Sequence, residues 1–404
     1  MDKFEGRKKN SILRYPLTLI MGMFCLAMLL GYIFGKQHDF SDVENRYLTM
    51  RPEVSLSSLL DGSFMEEFET YTDEQVPLRN ALIRVKTAAD TLAGKIENHG
   101  IVRGRDGRLF DKSTADTLQF ENNLATIDKF IKNSQREVYV AFAPTSVYMN
   151  SDELPVGVPV LDEEKMNEEA DLWMSVNKKG TFIDLTEALK EHEGEDLYYR
   201  TDHHWTSRAA YYAYEKICEV MSTKSVEWDD SGDKTDSRVV DSEDASVVDI
   251  TKVQKHTASD FYGTFYAKYQ AFLIDPDVIE YYDTPKITYI TENGEYDSLY
   301  DESKLEIYDK YAMFMYGNFG RATVKAEDDF AGGDRKSLII FKDSYANCLI
   351  PFLTRNYDTI EIADLRYMGG SVSELLKENP EADILMLYNY SFLNEDNHFY
   401  KLLK

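Results

Sequence analysis

Cysteine is nearly absent. The 404 residues hold three, Cys25, Cys218 and Cys348, odd in number and far apart. That spacing offers no disulfide framework and no zinc-ligand pattern. Positive charge is also the minority, with 45 lysines and arginines against 72 aspartates and glutamates, a net −27. The basic face that nucleic-acid binding requires is therefore missing. The chain has no Gly-x-Gly-x-x-Gly, no P-loop, no Gly-x-Ser-x-Gly and no His-Glu-x-x-His. Their absence removes the common cofactor and protease classes, and no cofactor is implied. Long apolar runs are scarce too.

The single long apolar run is residues 15–34, twenty residues without a charge. At helical rise this length spans a bilayer core of about 30 Å. Lys3, Arg7, Lys8, Lys9 and Arg14 precede it. The positive-inside rule puts residues 1–14 in the cytoplasm and the bulk of the chain outside. A cleaved signal peptide is the rival, but the run is long for one and Gly35-Lys36-Gln37-His38 offers no small-x-small cleavage site. A retained single-pass anchor in the cell membrane is expected. The first fourteen residues carry five basic and two acidic groups, which leaves −30 on the remainder.

Histidine and tryptophan are few, seven and three, yet two histidines and one tryptophan fall in Tyr198-Tyr199-Arg200-Thr201-Asp202-His203-His204-Trp205. Thr206-Ser207 follows as the N-cap of an Ala/Tyr-rich helix. Asp202 and His204 are two apart, so in extended backbone they face one site. A carboxylate beside an imidazole is two-thirds of a Ser-His-Asp arrangement. The missing serine is best supplied by Ser344, where the apolar strand 338–341 runs through Lys342-Asp343 into a helical pattern. A serine at that turn is exposed at the carboxyl end of a sheet, with helix N-terminal amides nearby to hold an oxyanion. Ser146, after Ala143-Pro144-Thr145, is the rival nucleophile. Asp202, His203 and His204 also have metal-ligand chemistry, but adjacent histidines rarely aim at one ion and no fourth ligand is evident.

Residues 35–100 read as a helical stalk, with Pro77 breaking one helix and a second amphipathic helix over 82–96. From 101 to 404 short apolar strands alternate with helices. Strands are expected at 101–102, 108–110, 138–142, 182–184, 338–341, 360–362 and 384–387, and helices near 115–133, 162–176, 206–221, 344–356 and 371–378. This alternation predicts an α/β fold with a parallel sheet and helices on both faces, its site beyond the carboxyl ends of the strands. Residues 222–330 read as an insertion, acidic and Ser-rich to about 260 and Tyr-rich with strand-like alternation thereafter.

The tetrad Asp202-His203-His204-Trp205 resembles the signature of the DHHW family of bacterial membrane-anchored proteins. That family is similar to the alginate O-acetyltransferases, whose domain is SGNH-hydrolase-like. Glu44-Asn45-Arg46-Tyr47-Leu48, Asp73-Glu74-Gln75-Val76-Pro77-Leu78-Arg79, Gly104-Arg105-Asp106-Gly107-Arg108-Leu109-Phe110, Phe261-Tyr262-Gly263-Thr264 and Asp364-Leu365-Arg366-Tyr367 agree in order. Lys342 stands where the usual SGNH Gly-Asp-Ser has glycine, and the Asp/His pair precedes the serine, as in the alginate enzymes. The resemblance implies a catalytic Ser344, His204 and Asp202. It implies O-acetyl transfer to an exopolysaccharide or cell-wall glycan, with a multi-span membrane acyltransferase partner as donor. An esterase would use the same residues, and a non-catalytic glycan-binding or assembly protein on the same scaffold is the non-enzymatic alternative. Candidate substrate contacts are Arg366, Trp205 and Tyr345. Arg366 is equally placed for a salt bridge to Asp364, and Trp205 is either core material or a platform for a sugar face.

Overall fold

Strands apolar at every position need cover on both faces, and the computed structural model of the chain supplies it. The structure describes residues 15–41, 46–112, 117–134, 136–177, 179–221, 250–270, 274–326 and 337–404. The basic tail 1–14, Glu44-Asn45 and the acidic stretch 222–249 lie outside the described residues. The chain divides into two units, Met1–Gly94 and Lys95–Lys404.

The first unit opens with helix Pro16–Phe34, long and apolar enough to cross a membrane. Helices Leu56–Asp61, Ser63–Glu74 and Arg79–Leu92 follow. Ser55 and Ser58 cap the first of these reciprocally, and Gly62 separates it from the second at φ 85°. Glycine takes that left-handed conformation without a Cβ clash. Pro77 falls in the gap before the third helix, where it cannot donate a helical hydrogen bond.

The second unit is built on an eight-stranded sheet. In chain order its strands are β1 (Val138–Ala143), β2 (Gly180–Asp184), β3 (Ile287–Thr291), β4 (Gly294–Tyr296), β5 (Arg321–Ala326), β6 (Ser337–Lys342), β7 (Thr359–Ala363) and β8 (Asp383–Asn389). The order across the sheet is β4-β3-β5-β7-β6-β8-β1-β2. Five strands, β7-β6-β8-β1-β2, are mutually parallel. The other three extend that core antiparallel from β7.

Side chains alternate between two apolar cores as the pleat requires. Leu338, Ile340, Leu385 and Leu387 join Ala209, Ala210, Ala213 and Ile217 of helix Ser207–Met221 on one face. Ile339, Phe341, Ile384 and Met386 join Leu124, Met166 and Leu375, from helices Thr117–Asn133, Glu163–Ser175 and Val372–Glu378, on the other. Helices thus cover both faces of a mostly parallel sheet, as the alternation predicts.

Two details differ from what the sequence predicts. The helix expected over 344–356 is a 3-10 turn, Ser344–Cys348, followed by the short α-helix Ile350–Leu353. Pro351 lies in the first turn of that α-helix, where its missing N–H costs nothing, whereas within a continuous helix it would break the ladder. The described part of the insertion does more than flank the sheet. Its strands β3, β4 and β5 become the sheet's edge, and Lys255–Phe261 pairs with Asp277–Tyr282 as a separate antiparallel ribbon.

Candidate active site

Ser344 begins the 3-10 turn at the carboxyl end of β6, an inner strand of the sheet. Asp343 caps that turn, its Oδ1 accepting from Tyr345 N at 2.9 Å. Its Oδ2 accepts from Asn389 N at 2.7 Å, at the end of neighbouring β8. The nucleophile candidate is therefore tied to two strand ends. Burial raises the Asp343 carboxyl above its ordinary value.

The tetrad arrives from the other side. A bridge between Tyr198 and Trp205 closes a tight loop, with Tyr199 N donating to His204 O and Thr206 N to Leu197 O. Thr206 Oγ1 then accepts from Ala209 N at 3.4 Å, the N-cap expected of helix Ser207–Met221. Asp277, on the neighbouring ribbon, braces the loop by accepting from the backbone N–H groups of Arg200 and Thr201 and from Thr201 Oγ1.

His204 joins the two segments. Its Nδ1 lies 2.6 Å from Asp202 Oδ1 and its Nε2 lies 2.8 Å from Ser344 Oγ. Asp202 is an acceptor only when ionised, so Nδ1 carries the proton and Nε2 is free to accept the serine hydroxyl. Asp202 and His204 are buried and Ser344 is half-buried. The Asp202 carboxylate is fully engaged. Oδ1 also accepts from His204 N at 3.0 Å, and Oδ2 accepts from Thr264 N at 2.7 Å and Thr264 Oγ1 at 2.9 Å. Burial alone would raise its carboxyl. The neighbouring His203 and His204, with these hydrogen bonds, outweigh burial and hold it well below the ordinary range. Tyr311 stacks on a face of His204 at 3.7 Å between centroids and donates its hydroxyl to Ser344 O at 3.2 Å. That ring limits where the imidazole can rotate.

Lys342, in the glycine place, is 1% exposed. Its ammonium donates to Asn347 Oδ1 at 2.5 Å and Asn318 Oδ1 at 3.0 Å, and lies 3.9 Å from Asp364. Burial pushes it down to about 8.

The structure brings together Asp202, His204 and Ser344, and it gives the other expected site residues different roles. Ser146 is buried on the short helix Ser146–Met149, and it is Ser344 whose hydroxyl reaches His204. Trp205 is 0% exposed, its Nε1 donating to Tyr345 O at 2.8 Å. Tyr345 is likewise buried, with its hydroxyl on His203 O. These two rings lock the tetrad loop onto the serine turn and present no open face, which corrects their expectation as substrate contacts. Arg366 forms the salt bridge, bidentate to Asp364 at 2.9 and 2.6 Å. Asp202, His203 and His204 hold ligand-type atoms within 4.8 Å of one another. Both His204 nitrogens and both Asp202 oxygens are already committed, so the trio is poorly suited to a metal.

Sequence reasoning missed Thr264, Tyr311 and Asp277 as parts of the site. Phe261-Tyr262-Gly263-Thr264 carried a signal for the first. A Cβ at Gly263 would fall 2.2 Å from Asp202 Cβ and 2.3 Å from its Oδ2. Only glycine lets that backbone lie against the carboxylate. Tyr311 and Asp277 stand among 28 tyrosines and many acidic residues, and nothing local marks them.

An α/β protein with a mostly parallel sheet and a serine turn at the end of an inner strand is the class that fold and geometry define. Within that class, residues 167–363 match the family described as DHHW protein, so the recognition made from Asp202 to Trp205 holds. The crystal structure of a DHHW family protein from Eubacterium siraeum superposes with a TM-score of 0.57 at 21% identity, covering 76% of this chain and 96% of that one. Bacillus cereus PatB1 superposes at 0.56 and 18% identity over 75% and 99%, and its form with a sulfonyl adduct at 0.54 and 17% over 75% and 98%. No curated protein matches this chain.

Proposed function

We propose that this chain is a membrane-anchored, extracellular acyl-handling enzyme that transfers acetyl groups to hydroxyls of an exopolysaccharide or cell-wall glycan. The observation that carries the proposal is His204, bonded at 2.6 Å to Asp202 and at 2.8 Å to Ser344. In this reading Ser344 Oγ attacks the acetyl carbonyl while its proton passes to His204 Nε2. Asp202 holds the imidazole in the Nδ1–H tautomer and balances the imidazolium. The Ser344 backbone N–H, at the start of the serine turn, helps stabilise the tetrahedral oxyanion. Collapse breaks the acyl C–O bond, and the departing alcohol takes the proton from His204. The acetyl-serine is then attacked by a glycan hydroxyl whose proton His204 removes, and collapse breaks the acyl–Oγ bond as His204 returns the proton to Ser344. Water in that second role makes the same residues an esterase.

Helix Pro16–Phe34 supports the anchored placement, and the family resemblance supports a multi-span membrane acyltransferase as donor. Arg366 is retained as a positioning residue through Asp364 rather than as a substrate contact.

The test is turnover of p-nitrophenyl acetate by the full-length chain in detergent, beside Ser344→Ala. Loss of turnover by a factor of at least roughly 10³ is expected in the variant. A sulfonyl fluoride should add its mass to Ser344 and to no residue of Ser344→Ala. Equal behaviour of the two proteins in both assays would refute the nucleophile and leave a glycan-binding scaffold as the better reading.

A further inference from the structure

The second histidine of the tetrad takes no step in the mechanism just described, yet its side chain is more open than that of His204. His203 lies against His204 with ring centroids 3.8 Å apart and planes tilted by 38°, and 37% of its side chain is exposed where His204 shows 6%. Its Nδ1 faces two acceptors. Thr264 Oγ1 is 2.8 Å away and Asp202 Oδ1 is 3.4 Å away.

The hydrogen-bond chain decides its tautomer. Thr264 Oγ1 donates its single proton to Asp202 Oδ2 at 2.9 Å. Toward His203 that hydroxyl is therefore only an acceptor, and so is the carboxylate. The proton of a neutral His203 must sit on Nδ1. Nε2 is then a bare lone pair, and it has no hydrogen-bond partner among the described residues. Burial of the inner edge and the neighbouring His204 push the ring down to about 4, so it stays neutral at ordinary pH. His204 is locked in the same tautomer by Asp202. Two adjacent imidazoles, their planes tilted by 38°, thus offer two Nε2 acceptors, one spent on Ser344 and one open.

We propose that His203 Nε2 is an acceptor-binding site that takes the hydroxyl adjacent to the one being acylated, so that the enzyme prefers vicinal diols of the kind a pyranose ring carries. This rests on the acyl-transfer reading above. Once Ser344 is acylated, its proton no longer occupies His204 Nε2. An incoming hydroxyl donates there and becomes the nucleophile. With ring centroids 3.8 Å apart, the two imidazoles are near enough to meet neighbouring hydroxyls of one sugar ring. The second hydroxyl donates to His203 and no proton leaves it, so His203 orients the acceptor and the base remains His204. A water molecule fills one of these positions at a time, which favours a diol over hydrolysis.

The experiment uses the full-length chain in detergent with p-nitrophenyl acetate as donor. Ethylene glycol and 2-methoxyethanol compete as acceptors at equal concentration. They are alike in size, and only the first has a second hydroxyl to donate. Mass spectrometry counts the two acetate esters, and the p-nitrophenolate burst reports acylation of Ser344. The wild-type chain should prefer ethylene glycol roughly fivefold per hydroxyl, the worth of one hydrogen bond. His203→Asn places an amide N–H where Nδ1 was and removes the outer acceptor. It should lose the preference. His203→Gln restores an acceptor near the Nε2 position and should recover part of it. Parity between the acceptors in the wild-type chain overturns the proposal without any variant, as does an undiminished preference in a His203→Asn protein that still shows the burst. Absence of the burst in the wild-type chain would instead strike the acyl-enzyme reading, and this inference with it.

Discussion

At the scale of single residues, the site depends on groups that do no chemistry. Gly263 is one. Its missing side chain lets Thr264 N reach Asp202 Oδ2, and any Cβ there meets a carboxylate that is 2% exposed and held by several donors. Gly263→Ala should cost roughly 1–3 kcal/mol of stability, read as a lowered melting temperature, and should impair ester turnover because Asp202 shifts away from His204. An unchanged melting curve and rate would show that the contact yields freely. Trp205 and Tyr345 make the same point from the other side. Aromatic rings next to catalytic candidates look like substrate platforms in a sequence, but here each donates a hydrogen bond to the other's backbone neighbourhood and spends its area on the core. The rings buried on folding are not available to a glycan.

At the scale of elements, the strand ends are joined by buried polar groups, and one of them is titratable. Glu163 opens helix Glu163–Ser175 and is 2% exposed. It accepts from Thr145 N at 2.9 Å and from Thr145 Oγ1, and so ties that helix to the loop after β1. Burial pushes its carboxyl up to about 7 from 4.5, against the pull of those hydrogen bonds. A raised carboxyl binds its proton more tightly in the folded state. The folded chain therefore loses stability as pH rises from about 4.5 to about 7, by up to about 3 kcal/mol. Glu163→Gln removes the titration. Its melting temperature relative to the wild-type protein should climb across that interval, and parallel curves would contradict the assignment. The 3-10 turn at Ser344 shows what pattern reading misses at this scale. Residues 344–356 have helical composition, but Pro351 and the Asp343 cap divide them, and the turn that results carries the nucleophile on its first residue.

At the scale of the whole molecule, the chain pairs a compact α/β unit, Lys95–Lys404, with a first unit that contains helix Pro16–Phe34. That helix is read as a retained anchor with the N-terminus in the cytoplasm. The full-length chain should then sediment with membranes and keep an N-terminal tag, and a chain starting at about residue 38 should not sediment. Loss of the tag during export would mark a cleaved signal peptide instead. The net charge of −27 bears on partners at this scale. It disfavours anionic polymers at low ionic strength and leaves neutral glycans as better acceptors.

Much of this is legible in the order of the amino acids alone. The apolar run of residues 15–34, the alternating strands and helices after 101, and the tetrad with its downstream serine are local patterns. Periodicity and scarcity report such patterns directly, and they suffice to name a parallel α/β sheet, a serine turn and the Asp202, His204 and Ser344 trio. Only the tertiary structure decided what lies between them. His204 and Ser344 are 140 positions apart, and the sheet's strand order brings their loops to one edge. Tyr311 and Asp277 enter the site through that closure and through nothing in their own neighbourhoods. Whether Trp205 faces a ligand or the core, and which nitrogen of His203 is left open, follow from packing and from the direction of each hydrogen bond. Those are properties of the folded network, in which every donor and acceptor depends on a partner distant in the chain.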